Sequence, residues 1–191
     1  MLYTKKGDNG TTCLPSRQAK TFRCDQRISK SSIIAEALGA LDEINSFLGL
    51  CKVKSQKEKF FTGNYTTWGE VINNIQKNLF IIQAEIAGAS MSIPEEKIIE
   101  LENIVDAIEK ELPPIKTFFI SGGTELASLF DIARTIARRA ERRVVNVSLE
   151  GKTSINKNTL AFLNRLSSLL YAFARLANYK AGIVEEGPDY K

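Results

Sequence analysis

Five stretches of this chain repeat apolar residues at three- and four-residue spacing, and no convincing pair of strand-like stretches lies between them. That period belongs to helices with one buried face, so an all-α chain built as a five-helix bundle is the expected fold class. Ile33, Ile34, Ala37, Leu38, Leu41, Ile44 and Leu48 predict a first helix over about 30–53, with Ser29 or Ser31 able to cap it. The polar stretch 54–67, broken by Gly63 and Asn64, reads as a loop or crossover. Val71, Ile72, Ile75, Leu79, Ile82 and Ile86 form the second pattern, ending near Gly88. Ser92-Ile93-Pro94-Glu95-Glu96 opens the third, with Ser92 as N-cap and acidic residues at the positive end of the helix dipole. Ile98, Leu101, Val105, Ile108 and Leu112 face inward there, and Pro113-Pro114 stops the helix. Phe118-Phe119-Ile120 and a Ser121-Gly122-Gly123 turn lead into a fourth helix over about 124–147. After a polar loop from Ser148 to Lys157, Leu160, Leu163, Leu166, Leu170, Phe173, Ala174 and Ala177 mark the fifth. One domain follows: a Gly-bearing loop over 1–28, the bundle over 29–181 and a loose polar tail over 182–191.

The fourth helix holds five arginines within ten residues, Arg134, Arg138, Arg139, Arg142 and Arg143. Leu126, Leu129, Ala133, Ile136, Ala137, Ala140 and Val144 fall on its inner side, so Arg134, Arg138 and Arg142 climb one flank at i, i+4, i+8. Arg139 and Arg143 point roughly away from the core. Like charges stacked this way repel by a few tenths of a kcal/mol per pair, which favours anions between them. Arginine offers a planar fork that meets phosphate or carboxylate oxygens two at a time. The spacing fits equally a solvated face with intramolecular partners, Glu141 among them.

The net charge of +4 is modest, so the basicity is local and a general nucleic-acid coat is not expected. No run approaches the ~18 apolar residues of a membrane span, and the first residues lack an apolar leader, which points to a cytoplasmic protein without a membrane partner. Cys13, Cys24 and Cys51 show no CxxC spacing, so idle thiols are expected rather than a disulfide framework or zinc site. Histidine is absent. That excludes Ser-His-Asp triads, HExxH zinc sites and ExxH di-iron bundles, so any chemistry must run without imidazole.

Thr4-Lys5-Lys6-Gly7-Asp8-Asn9-Gly10-Thr11-Thr12 combines glycines, lysines and hydroxyls that can turn donors toward phosphate, although it is no Walker A motif and also suits a flexible terminus. Gly151-Lys152-Thr153 imitates the end of a Walker A but lacks its first glycine and a preceding strand. Asp42-Glu43 lies beside the apolar stripe of the first helix, where an arginine partner is expected. Asn164-Arg165 interrupts an apolar stretch, as a contact inside the bundle or as a ligand contact. Phe118 and Phe119 suit either the core or the wall of a flat ligand.

Four blocks in this order resemble the PduO-type ATP:cob(I)alamin adenosyltransferases. They are Tyr3 to Thr12, Glu36-Ala37-Leu38-Gly39-Ala40-Leu41-Asp42-Glu43-Ile44-Asn45-Ser46, Arg134-Thr135 through Arg138-Arg139-Ala140-Glu141-Arg142-Arg143, and Leu163-Asn164-Arg165-Leu166-Ser167. The resemblance implies a ferritin-like, up-and-down bundle assembled as a homotrimer with sites between subunits. It implies transfer of the 5′-deoxyadenosyl group of ATP to Co(I) of a reduced corrinoid, releasing triphosphate. Carried over by position, Thr4, Lys5, Gly7, Asp8, Gly10, Thr11, Thr12, Lys30, Arg138, Glu141, Arg142 and Asn164 would contact ATP or its Mg²⁺, with Glu141 beside the metal. Arg134 would pair with Asp42 across the interface, and Phe118 would sit beneath the corrin. A flavin- or ferredoxin-type reductase is the expected electron source. Two places depart from the family pattern: Ile120-Ser121-Gly122-Gly123 stands where Leu-Pro-Gly-Gly is frequent, and Phe130-Asp131 where a Leu-His pair is frequent.

Such chemistry suits a chain without histidine. Co(I) is itself a strong nucleophile, so displacement at a primary carbon needs positioning and stabilisation of the departing charge rather than a general base. The competing expectations are a corrinoid or nucleotide carrier without turnover, and a nucleic-acid-binding bundle whose affinity would fall steeply with salt.

Overall fold

The computed structural model describes residues 3, 5–15, 24–56, 58–62, 65–151 and 153–190. Five long helices make up most of it: α1 (Ile33–Lys54), α2 (Trp68–Ile86), α3 (Glu95–Glu111), α4 (Glu125–Leu149) and α5 (Lys157–Lys180). Their principal contacts run α2 to α1, α1 to α4, α4 to α5 and α5 to α3, with α4 and α5 sharing the most extensive one. Alanines 127, 133, 137 and 140 line the buried face of α4 and let α5 approach closely. Where the helices meet, Trp68 stacks on Phe173 at 5.0 Å, and Phe130 lies 5.6 and 5.2 Å from those two rings. The all-α bundle expected from periodicity is the observed fold.

Two antiparallel hairpins were not expected. β1 (Thr11–Pro15) pairs with β2 (Cys24–Ser29), and β3 (Lys59–Thr62) pairs with β4 (Tyr65–Thr67) inside the stretch read as a loop or crossover. Both are short and carry no sustained alternation, so the period-two signal never accumulates. Cys13, where an idle thiol was expected, is disulfide-bonded. Cys51, by contrast, is a free buried thiol.

The helix starts differ in detail. Ser32, not Ser29 or Ser31, caps α1 by accepting from Ala35 N. Pro94 holds the N-cap position of α3, where its side chain offers no acceptor, and Ser92, two residues earlier, accepts from Asn156 Nδ2 at 3.2 Å. Glu85, buried on α2, accepts from Asn156 N at 2.7 Å and Thr159 Oγ1 at 2.5 Å, tying down the start of α5. Beyond Gly182, where a loose tail was expected, Ile183 N donates to Asn178 O at 2.9 Å and Ile120 N donates to Glu186 O at 2.8 Å.

Candidate active site

The arginines of α4 divide by partner. Arg139 Nη2 donates to Glu43 Oε2 at 2.5 Å, and Arg143 Nη2 lies 3.6 Å from Glu36 Oε2, so α1 neutralises the two that point away from the core. Glu43 thus has the arginine partner expected for the Asp42-Glu43 pair. Arg134 sits half-buried, with Nε enclosed, lacking a hydrogen bond and 3.8 Å from Asp131 Oδ1. Its guanidinium also lies 6.0 Å from the centre of the Tyr171 ring. Arg138 and Arg142 have no ion pair or hydrogen bond to any described residue. The stripe is therefore not one uniform basic face, and its two unneutralised members border the same hollow.

That hollow, about 350 Å³, is lined by Arg138, Glu141, Arg142, Val145, Asn146, Leu149 and Asn164. Glu141 does not neutralise its arginine neighbours directly; its Oε1 accepts from Asn164 Nδ2 at 3.0 Å across the α4–α5 contact. Asn164 Oδ1 accepts in turn from Arg165 Nη1 at 2.8 Å, and Arg165 Nε donates to Glu102 Oε1 of α3 at 2.7 Å. Three helices thus fix the orientation of one amide. Two cations beside a positioned carboxylate and amide can hold a polyanion and leave one carboxylate for a cation that accompanies it.

Arg138 also lines a second and larger cavity, about 870 Å³, with Phe118, Phe119, Ser121, Asp131, Arg134 and Tyr171 on its walls. Phe118 is 79% exposed and projects from the 113–123 segment, so it is available to a flat ligand rather than spent on the core. The turn behind it is built for glycine. Gly123 has φ +101, and a Cβ there would lie 2.4 Å from Asn178 Oδ1. That same Asn178 accepts from Thr124 N at 3.0 Å and donates to Gly122 O at 2.8 Å. Tyr171, raised above the usual tyrosine range chiefly by burial, keeps its proton at neutral pH.

Among the described residues, none of the N-terminal loop lines either cavity within one chain. Asp8 N bonds Lys5 O, Gly10 N bonds Gly7 O at 3.2 Å, and Lys30 Nζ reaches back to Gly7 O at 3.0 Å. Asn9 Oδ1 accepts from both Thr11 N and Thr11 Oγ1. Arg27, which sequence reasoning missed, clamps the loop by donating to Lys6 O and to Thr11 O and Oγ1. Only the β1–β2 pairing, with Thr12 opposite Ile28, puts Arg27 there. Asp42 is exposed on α1 and forms no ion pair among the described residues, and Thr4 lies outside them. The structure brings Arg138, Glu141, Arg142 and Asn164 together, and Phe118 with Arg134 and Arg138; it leaves Asp42, Lys30 and the loop apart from both groups.

Residues 2–177 match the model of the cobalamin adenosyltransferase family. This chain belongs to that family. It is 38% identical over 186 residues to the corrinoid adenosyltransferase of Bacillus subtilis, covering 95% of this chain and 89% of that one. It is 36% identical over 187 residues to the corrinoid adenosyltransferase PduO of Citrobacter freundii, where it covers 94% of itself but only 50% of the longer protein. Among solved structures, a phenylalanine-to-alanine variant of the PduO-type ATP:corrinoid adenosyltransferase from Lactobacillus reuteri, complexed with cobalamin and ATP, aligns with TM-score 0.81 and 31% identity over 98% of this chain and 99% of that one. Family membership and bundle fold agree with the resemblance carried by the four sequence blocks. No helix among the described residues is long and apolar enough to cross a membrane.

Proposed function

We propose that this adenosyltransferase-family chain transfers the 5′-deoxyadenosyl group of ATP to Co(I) of a reduced corrinoid, releasing triphosphate. The observation that carries this reading is the placement of Arg138. It belongs to a polar hollow with Arg142, Glu141 and Asn164, and to an aromatic-walled cavity with Phe118. Triphosphate in the first and a corrin beside the second would bring the 5′ carbon of ATP to the boundary between them.

The reaction is a displacement. The cobalt electron pair forms the Co–C bond while the C5′–O bond breaks and its electrons leave on the triphosphate. Arg138 and Arg142 stabilise that growing charge, and because no carboxylate among the described residues already neutralises them, they meet it without first breaking a pair. The Glu141–Asn164 hydrogen bond orients both side chains toward the same hollow. Among the described residues no three His, Cys, Asp or Glu side chains gather to hold a metal, which suits Mg²⁺ that arrives on the nucleotide phosphates with Glu141 as a single protein oxygen donor. Phe118 would cover the lower face of cobalt and keep water from it, easing reduction of Co(II) by a flavin- or ferredoxin-type reductase.

The site is proposed to be completed by another subunit of a homotrimer. The loop from Thr4 to Thr12 and Lys30 would close over ATP bound to a neighbour, and Asp42 would pair with the partly exposed side chain of Arg134. Their separation from both cavities within one chain supports this arrangement.

Purified protein given ATP, Mg²⁺ and chemically reduced cobalamin is expected to yield adenosylcobalamin, seen by its absorbance, and an equal amount of triphosphate. Absence of both products from folded protein would overturn the enzymatic reading, and tight binding without turnover would make it a carrier.

A further inference from the structure

We propose that Arg175 is a positioning residue that fastens the chain's final segment to the Phe118 segment and so sets two walls of the large cavity together. Arg175 lies on α5 among Phe173, Ala174, Leu176 and Ala177 and is only 5% exposed. A buried guanidinium is retained against its desolvation only where charge and hydrogen bonds compensate. Here it has three fastenings: Nε donates to Glu185 Oε2 at 2.9 Å, Nη2 donates to Pro113 O at 3.1 Å, and the guanidinium lies 5.0 Å from the centre of the Phe119 ring. Pro113 and Phe119 bracket the stretch next to Phe118, while Glu185 belongs to the final segment. A single side chain therefore holds both.

The two segments also meet directly. Ile120 N donates to Glu186 O at 2.8 Å. Gly187 packs so closely that a Cβ there would lie 3.1 Å from Thr117 Cγ2 and 3.6 Å from Phe118 O. Three residues on, Tyr190 lines the same cavity as Phe118. Behind this wall a space of about 410 Å³, bordered by Arg175, Phe119, Leu112 and Ile183, leaves room for both segments to shift once the latch opens. Nothing in this connection reaches the Arg138–Glu141–Asn164 hollow, so the latch acts on the aromatic cavity alone.

The inference rests on the reading of that cavity as the corrinoid side of the site, and its test separates the two. In Glu185→Gln the charge partner is lost from a side chain that is 17% exposed, while its length and one oxygen able to accept from Arg175 Nε are kept. Exchange of the Ile120 amide with solvent is expected to quicken, and the KM for corrinoid to rise about tenfold while the KM for ATP stays within about twofold. Arg175→Lys keeps the charge but loses the fork and is expected to move both readouts in the same direction. Unchanged Ile120 exchange in both variants overturns the latch, as does an equal rise of both KM values with a lowered Tm, the mark of general destabilisation. If the unsubstituted protein makes no adenosylcobalamin, the activity reading fails while Ile120 exchange still decides the latch.

Discussion

Asn164 Nδ2 donates to Glu141 Oε1 at 3.0 Å while Asn164 Oδ1 accepts from Arg165 Nη1 at 2.8 Å, so both ends of the amide are spoken for. The pair joins α4 to α5 at the mouth of the hollow that holds Arg138 and Arg142. Asn164→Asp sets two carboxylates face to face and removes the donor. The KM for ATP is expected to rise roughly tenfold or more, since a lost hydrogen bond to a charged group costs about 1.5–3 kcal/mol. Steady-state kinetics with unchanged ATP dependence would remove Asn164 from the nucleotide site.

Neighbouring arginines should behave oppositely. Arg138→Lys loses the bidentate fork and is expected to cut kcat by about 10²–10³-fold, the usual cost of a preorganised donor to developing charge. Arg139→Ala breaks a pair with Glu43 in which both side chains are about half exposed, and such pairs contribute ~1 kcal/mol or less. Its kcat should match the unsubstituted protein and its Tm should fall slightly. Equal losses of turnover in the two variants would show that the division of the stripe by partner has no catalytic meaning.

That division marks the limit of what the sequence discloses. Helical period identifies which side of α4 is buried, because Ala133, Ala137, Ala140 and Val144 must pack and their spacing records it. It cannot reveal that Glu36 and Glu43, about a hundred residues earlier, face Arg143 and Arg139, since that depends on how α1 crosses α4. The same holds for Arg27, whose role as a clamp depends on the β1–β2 register. Ser92 is not the cap because α3 begins at Glu95 with Pro94 in the N-cap position, and its hydroxyl has a tertiary partner in Asn156 that local propensity does not include. Arg138, Glu141, Arg142 and Asn164 were legible through resemblance, and the geometry groups them around one hollow.

Arg134 offers a test of assembly. Its side chain is 29% exposed, so part of it can meet a neighbouring subunit, while Asp131 at 3.8 Å is too distant to hydrogen-bond its Nε. If Asp42 of a neighbouring subunit is its partner, Asp42→Asn should shift trimer toward monomer in analytical ultracentrifugation and lower activity, with Arg134→Ala giving no further loss. A trimer of unaltered stability in Asp42→Asn would refute the pairing.

Gly123 should not tolerate a side chain. Alanine there must adopt φ +101 and force its Cβ against Asn178, whose amide holds both Gly122 O and Thr124 N. Strain of this kind costs about 1–3 kcal/mol, and each kcal/mol lowers the Tm of a chain this size by roughly 2–4 °C. Gly122, with φ +134 but open space around its Cβ position, should give a smaller loss on substitution by alanine. Thermal unfolding of the two variants side by side measures the part due to the clash. Identical Tm values would assign the cost to backbone conformation alone.

Cys51 gives a pH dependence of known sign. Burial pushes its thiol from 9.0 up to about 12, because the low-dielectric core disfavours thiolate. Below pH 9 the folded and unfolded chains both keep the proton, and the thiol's contribution to stability is fully present. Between 9 and 12 the unfolded chain loses the proton while the folded chain holds it. Stability therefore falls as pH rises, by at most about 1.4 kcal/mol per unit from this group. Cys51→Ala lacks that slope, although it starts lower because of the cavity left in the core. The difference in unfolding free energy between the two proteins should thus be constant from pH 7 to 8.5 and shrink from pH 9.5 to 11. A difference that stays constant to pH 11 would mean that the thiol ionises as readily in the folded protein as in the unfolded one.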